Sequence, residues 1–368
     1  MKTPTEFIAL ALLWILVPST LVIVFGNIYA QKRITELKEK SSRSHDKYTL
    51  GENYMPNVDS KEVNIVGDLC SQAGYHSGEE CPFWDGKRSH HFQSDKLGFK
   101  TAGNFDKSDT VLIGDSFLAA IGGDDTKDQL GAVLTRKTSK NIYEAAHPGG
   151  IDSYIKRHKR LTSLQTSPKQ YIFLLFEGND FYQTLAQSNK NKGAQSWQQK
   201  PWHMLRFIYS PIFNKLNSMP LAKLLITVNA SKKLNPSNVV VKKINGRLQA
   251  FSIDYVQSSS KDSAIQSKEI EYFIKNKKSI CALIIVPTAS SIYLEKNNFQ
   301  QRHPTLAGQI ERIKNAKINV INLTETLKKQ AKNENKNYRL WWSDDTHWNK
   351  NAINIAAEEI INSDLQCL

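Results

Sequence analysis

From residue 109 to the C-terminus the apolar residues fall into two alternating patterns. Short runs at 110–113, 141–145, 170–176, 279–287 and 318–323 are apolar at most positions, as strands covered on both faces require. Between them apolar residues recur at three- and four-residue spacing. Ile151, Tyr154, Ile155, His158 and Leu161 share one helical face, as do Leu306, Ile310 and Ile313, and then Ile353, Ala356, Ile360 and Ile361. Strand and helix alternate along the chain. This predicts an α/β fold, a three-layer α/β/α sandwich around a five-stranded, mostly parallel sheet.

The rhythm breaks at about 185–265. This stretch carries Trp197, Trp202, Arg206, Phe207 and Tyr209, then an Asn245-Gly246 turn between alternating arms, which reads as a hairpin. It is expected to be an insertion that borders or covers a site, like a lid. Ahead of the α/β region, residues 7–30 contain no charged residue between Glu6 and Lys32. Their length matches the roughly 20 residues that a membrane-spanning helix needs. Ile28 suits a small-residue cleavage site poorly, so residues 1–30 are read as an uncleaved anchor. Residues 31–65 are polar and form a stalk, and 66–368 form the main domain.

Two features point to opposite sides of the membrane. Lys32, Arg33, Lys38, Lys40 and Arg43 follow the apolar stretch and only Lys2 precedes it, which favours a cytoplasmic main domain. The four cysteines lack C-x-x-C spacing and suit two disulfides, which persist outside the cytoplasm. Pairing Cys70 with Cys81 and Cys281 with Cys367 is one of three connectivities. We expect a single-pass protein of the cell membrane with its main domain extracytoplasmic, periplasmic or extracellular. The formal net charge of +14 suits a polyanionic surface. No nucleic-acid motif accompanies it, so no nucleic-acid partner is expected.

Three chain segments carry candidate chemistry. Val111 to Phe117 is an apolar run that breaks at Gly114 and delivers Ser116 onto a turn. Glu177-Gly-Asn-Asp180 ends another apolar run, and Asp344-Asp-Thr-His347 lies near the C-terminus. In an open parallel sheet, ligands bind beyond the carboxyl ends of the strands. With strand order 2-1-3-4-5 the strands before Ser116 and Asn179 are neighbours, and the His147-Pro-Gly-Gly150 turn reaches the same edge. Ser116 is then the nucleophile, His347 the base and Asp344 the carboxylate that orients it, with Asp345 the alternative. The N–H groups of Ser116 and Gly149 (or Gly150) and the amide of Asn179 would form an oxyanion hole. Asp115, Trp342 and Trp348 are the expected substrate contacts, although buried tryptophans of the core are the plainer reading of the last two. His90-His91 has no matching ligand spacing, so neither a metal nor a cofactor is expected. Asp124-Asp125 reads as solvated or capping.

These segments resemble the SGNH, or GDSL-like, hydrolase superfamily. Gly114-Asp-Ser-Phe117 is similar to its first block, Gly178-Asn-Asp180 to its third and Asp344-x-x-His347 to its fifth. The second block is degenerate, because no Asn-x-Gly stands near 144–146. The resemblance covers about 95–365 apart from the insertion, and implies a flavodoxin-like SGNH fold. Lys96-Leu-Gly-Phe-Lys100 and Thr346-His-Trp-Asn349 resemble members that handle cell-envelope polysaccharides, such as alginate O-acetyltransferases. It implies an O-acyltransferase or carbohydrate esterase that passes an acyl group, expected to be acetyl, through an acyl-enzyme. It also implies a membrane-bound O-acyltransferase partner. A lipase or thioesterase with the same triad, and a non-catalytic glycan-binding assembly protein, are the alternatives.

Overall fold

The computed structural model describes residues 48–50, 53–63, 65–75, 78–165, 169–183, 238–335 and 338–368. The expected anchor at 7–30, most of the stalk, and the Trp197–Tyr209 part of the insertion lie outside the described residues. Among the described residues no helix is long and apolar enough to cross a membrane.

After two short paired strands at Thr49–Leu50 and Asn53–Tyr54, an antiparallel pair, β1 (Asp59–Val63) and β2 (Ser89–Gln93), flanks a short helix α1 (Asp68–Gln72). The α/β region follows with β3 (Thr110–Gly114), α2 (Leu130–Thr138), β4 (Ile142–Ala146), α3 (Ile151–Leu164) and β5 (Gln170–Phe176). A hairpin, β6 (Val239–Ile244) and β7 (Arg247–Ser252), interrupts it. The chain continues through α4 (Ser267–Lys275), β8 (Ile280–Val286), α5 (Pro304–Asn315), β9 (Asn319–Asn322), α6 (Thr324–Ala331) and α7 (Lys350–Asn362).

Five of these strands form one sheet in the order β9-β8-β5-β3-β4, with every pairing parallel. In chain order this is 2-1-3-4-5, the arrangement that makes the Ser116 and Asn179 strands neighbours. The five apolar runs are these strands to within a residue or two at each end. Both faces are covered, as the unbroken runs require. Leu112, Leu174 and Ile284 belong to one core, with α2, α6 and α7. Val111, Ile113, Phe173 and Ile285 belong to the other, with α3, α4 and α5. The period-two alternation of side chains divides each strand between the two cores.

The Asn245-Gly246 turn closes the hairpin as the sequence predicts. Both residues have positive φ, +48° and +85°, the combination a tight two-residue hairpin turn needs. This part of the insertion is fastened to the main domain. Ala250 donates its N–H to the Ser343 carbonyl at 3.0 Å, and Phe251 is buried in the core. The cysteines pair as Cys70–Cys81 and Cys281–Cys367.

Candidate active site

The site lies at the carboxyl edge of the sheet. Gly114 ends β3, and a Cβ there would lie 3.0 Å from those of Leu118 and Leu174. A side chain there would press on both, so glycine lets the chain turn closely against β5. Turns follow through residue 121, and Ala120 takes φ +48°. A buried ammonium holds this path from inside. Lys100 Nζ donates to the carbonyls of Ala119, Ala120 and Asp124 at 2.9, 3.2 and 3.0 Å. Burial pulls the Lys100 pKa down to about 8, against the opposing charges of Asp124 and Glu144. Ser116 is left half-buried at the edge.

His347 arrives on a pinned loop. Trp341 and Trp348 pair across an antiparallel bridge, and both are fully buried. Trp348 also donates its indole N–H to the Phe117 carbonyl at 2.9 Å. Residues between them form a short loop, and α7 begins just beyond it. Asn349 caps α7, and the Asp124 carboxylate accepts the Lys350 N–H at 3.1 Å. Asp124 is thus buried and capping rather than solvated.

His347 Nε2 lies 2.8 Å from Ser116 Oγ, and His347 Nδ1 lies 2.6 Å from Asp345 Oδ1. Asp345 Oδ1 also accepts the backbone N–H of His347 at 2.9 Å. The carboxylate on the imidazole is therefore Asp345, and this corrects the assignment of Asp344. Asp344 points elsewhere. Its carboxylate accepts from Arg88 Nη1 at 2.8 and 3.0 Å and from the Gly67 N–H at 2.8 Å. No side chain fits at Gly67, where a Cβ would lie 2.0 Å from the Asp344 carbonyl oxygen. The two carboxyls titrate apart. Burial raises Asp344 to about 6, opposed by the Arg88 charge. Burial also works against ionised Asp345, but the charge and hydrogen bond of His347 outweigh it and hold Asp345 below the usual carboxylate range.

Asn179 reaches the same edge from the turn after β5 and is exposed. Its amide donates to Asp115 Oδ2 at 3.1 Å, while Asp115 Oδ1 accepts the Phe117 N–H at 2.9 Å. Asp115 is 1 % exposed. It ties the Ser116 and Asn179 turns together, and its carboxylate faces these groups instead of a substrate. Trp348 is likewise buried, so of the three expected substrate contacts only the half-buried Trp342 meets solvent, with Arg88 stacked on its ring at 4.5 Å. Gly149 takes φ +152° in the half-buried turn entering α3. Arg157 of α3 buttresses this edge, donating to the carbonyls of Gly114, Ala145 and His147.

Arg88, Lys100 and Arg157 do not stand out in the sequence as parts of the site. Each acts through carbonyls or carboxylates remote in the chain, and no local spacing marks such a partner. Asp68, Asp345 and His347 bring donor atoms within 4.8 Å of one another. Their contacts already join them to Thr346, to each other and to Ser116. His90 and His91 stand on β2, and His91 contacts Asp59. In comparisons with known proteins, no family model and no curated protein matches the chain.

Proposed function

We propose that this protein is a serine-dependent O-acyltransferase or esterase, similar to SGNH hydrolases, acting on a cell-envelope or secreted polysaccharide. One observation carries the reading: Ser116, His347 and Asp345 form an unbroken relay at 2.8 and 2.6 Å. Ser116 Oγ attacks the acyl carbonyl and its proton passes to His347 Nε2. Asp345 stabilises the imidazolium that forms. The tetrahedral oxyanion is held by the amide of Asn179, whose other donor is committed to Asp115, and by the N–H groups of Ser116 and Gly149. Collapse expels the alcohol, which takes the proton from His347, and leaves acyl-Ser116. A sugar hydroxyl or water then attacks the acyl carbon and gives its proton to His347; collapse breaks the bond to Ser116 Oγ, which takes that proton back, and releases the new ester or the free acid. Transfer and hydrolysis use the same groups.

Among the described residues at this edge Asn179 is exposed and Ser116 half-buried, which suits a polymer substrate. The net charge of +14 suits an anionic glycan. The two disulfides suit an extracytoplasmic domain, held by the apolar segment at 7–30. Acetyl as the acyl group, and an acyltransferase of the membrane as its supplier, follow from the SGNH resemblance. The test is turnover of an acetyl ester by the full-length protein, with and without an oligosaccharide acceptor, for wild type and Ser116→Ala. The variant is expected to lose at least about 10³-fold in kcat. Equal turnover would overturn the reading.

A further inference from the structure

The Asp344–His347 loop is not held by its own neighbours alone. Residues 67–69, on the opposite side of the sequence, meet it through five hydrogen bonds. Gly67 N–H donates to Asp344 Oδ2 at 2.8 Å, and Leu69 N–H to the Asp344 carbonyl at 3.0 Å. Asp68 N–H donates to Asp345 Oδ2 at 3.1 Å. This is the second oxygen of the carboxylate whose first oxygen faces the imidazole. The remaining two bonds run the other way. Thr346 donates its N–H to Asp68 Oδ1 and its hydroxyl to Asp68 Oδ2, both at 2.8 Å. Thr346 Oγ1 is itself 3.3 Å from His347 Nδ1. Asp68 is 4 % exposed; both of its oxygens accept from Thr346, and Oδ2 also accepts from Gln72 Nε2 at 3.3 Å.

This arrangement does more than fill space. Thr346 stands between Asp345 and His347. Asp68 fixes its backbone N–H and its hydroxyl together, which sets the direction of the backbone entering His347. The Asp68 N–H fixes Asp345 from the other side. With Asp68 removed, the Thr346 N–H and hydroxyl would lack their buried acceptor, and the loop would have to turn to satisfy them. A turn of this loop moves His347 Nε2 away from Ser116 Oγ.

We propose that Asp68 is a positioning residue of the triad, acting through Thr346 and Asp345 and touching neither substrate nor Ser116. The proposal rests on the catalytic reading above. A positioning role affects the chemical step. Binding of the acyl substrate, which lies across Ser116, Asn179 and Gly149, is spared.

The test is active-site labelling of the full-length protein by a fluorophosphonate, beside steady-state turnover of an acetyl ester. Wild type, Asp68→Ala, Asp68→Asn, Thr346→Val and the surface control Asp106→Asn are compared. Asp68→Ala is expected to lose about ten- to a hundred-fold in both kcat and labelling rate, as about 1 Å of misplacement does, with KM within about two-fold. Asp68→Asn keeps an acceptor for the Thr346 N–H and recovers part of the loss. Thr346→Val removes only the hydroxyl and is the mild variant should Asp68→Ala not fold; it is expected to lose about three- to ten-fold. Labelling of folded Asp68→Ala, or of Thr346→Val where Asp68→Ala does not fold, at the wild-type rate overturns the proposal while leaving the catalytic reading intact. So does a loss confined to KM. An unlabelled wild type is a different failure: it removes the catalytic reading and this proposal with it.

Discussion

At the scale of single residues the decisive pair is Asp344 and Asp345. Both carboxyls precede His347 at spacings that allow a hydrogen bond, and nothing local separates them. What separates them is remote: Arg88 and Gly67 draw Asp344 to the other side of the loop, with Arg88 256 positions away. The identity of the orienting carboxylate was therefore illegible in the sequence, whereas Ser116, His347 and Asn179 were legible because each ends an apolar run or opens a helix. The two aspartates are expected to fail differently. In the proposed mechanism Asp345→Asn removes the charge that stabilises the imidazolium, and should lower kcat by about 10³- to 10⁴-fold, a loss like that known for other serine triads. Asp344→Asn leaves the imidazole's partner in place and should cost less than about ten-fold in kcat, within ordinary indirect effects. It leaves Arg88, 8 % exposed at its side chain, without its ion pair. Kinetics of the two variants decide the matter. A larger kcat loss for Asp344→Asn would return the orienting role to that residue.

At the scale of elements, each disulfide staples a different part. Cys70–Cys81 closes a loop with a sequence separation of 11 and anchors α1, the element that begins with Asp68. Cys281–Cys367 ties the start of β8 to the C-terminus with a separation of 86. That end of β8 is the edge of the sheet opposite Ser116. Replacing the first pair by serines should cost about 3 kcal/mol and replacing the second about 4–5 kcal/mol, because the longer loop regains more freedom on unfolding. Activity should follow the reverse order. The Cys70→Ser/Cys81→Ser protein loses kcat because α1 no longer holds the 344–347 loop, and Cys281→Ser/Cys367→Ser retains it below its melting temperature. Equal activity losses would mean that α1 has no special hold on the loop. The sheet strands behind this argument were readable as apolar runs. The pair β1–β2 was not, since Asp59–Val63 and Ser89–Gln93 are mostly polar. Nor was α1, whose five residues span little more than one helical turn and give no periodicity to detect.

At the scale of the whole molecule, buried acids make stability depend on pH in two opposed ways. Burial holds Glu144 up to about 8, and Asp124 and Asp344 each up to about 6. In the unfolded chain these groups ionise near 4.5 for Glu and 3.8 for Asp. The folded protein keeps protons that the unfolded chain has released, so their contribution is full below about pH 4 and is lost as pH rises through 6 towards 8. Glu177 does the reverse. Burial works against its charge, but His303 and Arg302, at 2.8 and 2.7 Å, outweigh this and hold it down to about 2. Its contribution is full above about pH 4.5 and is lost as pH falls through 2. Above about pH 6.5 the raised Glu144 carboxyl implies a decline in stability on approaching pH 8. A loss of about 1 kcal/mol lowers the melting temperature by about 2–4 °C in a domain of this size, so a scan from pH 5 to 8 resolves it. Of these three raised acids Glu144 loses its proton last. Glu144→Gln keeps an acceptor for the Gly131 N–H, which Glu144 Oε1 now accepts at 2.8 Å, and removes the titration. Its melting curve should therefore be flatter than that of wild type between pH 6.5 and 8. Parallel curves for the two proteins would show that Glu144 is ionised in the fold, with its charge held by the Lys100 ammonium on the same side of the sheet.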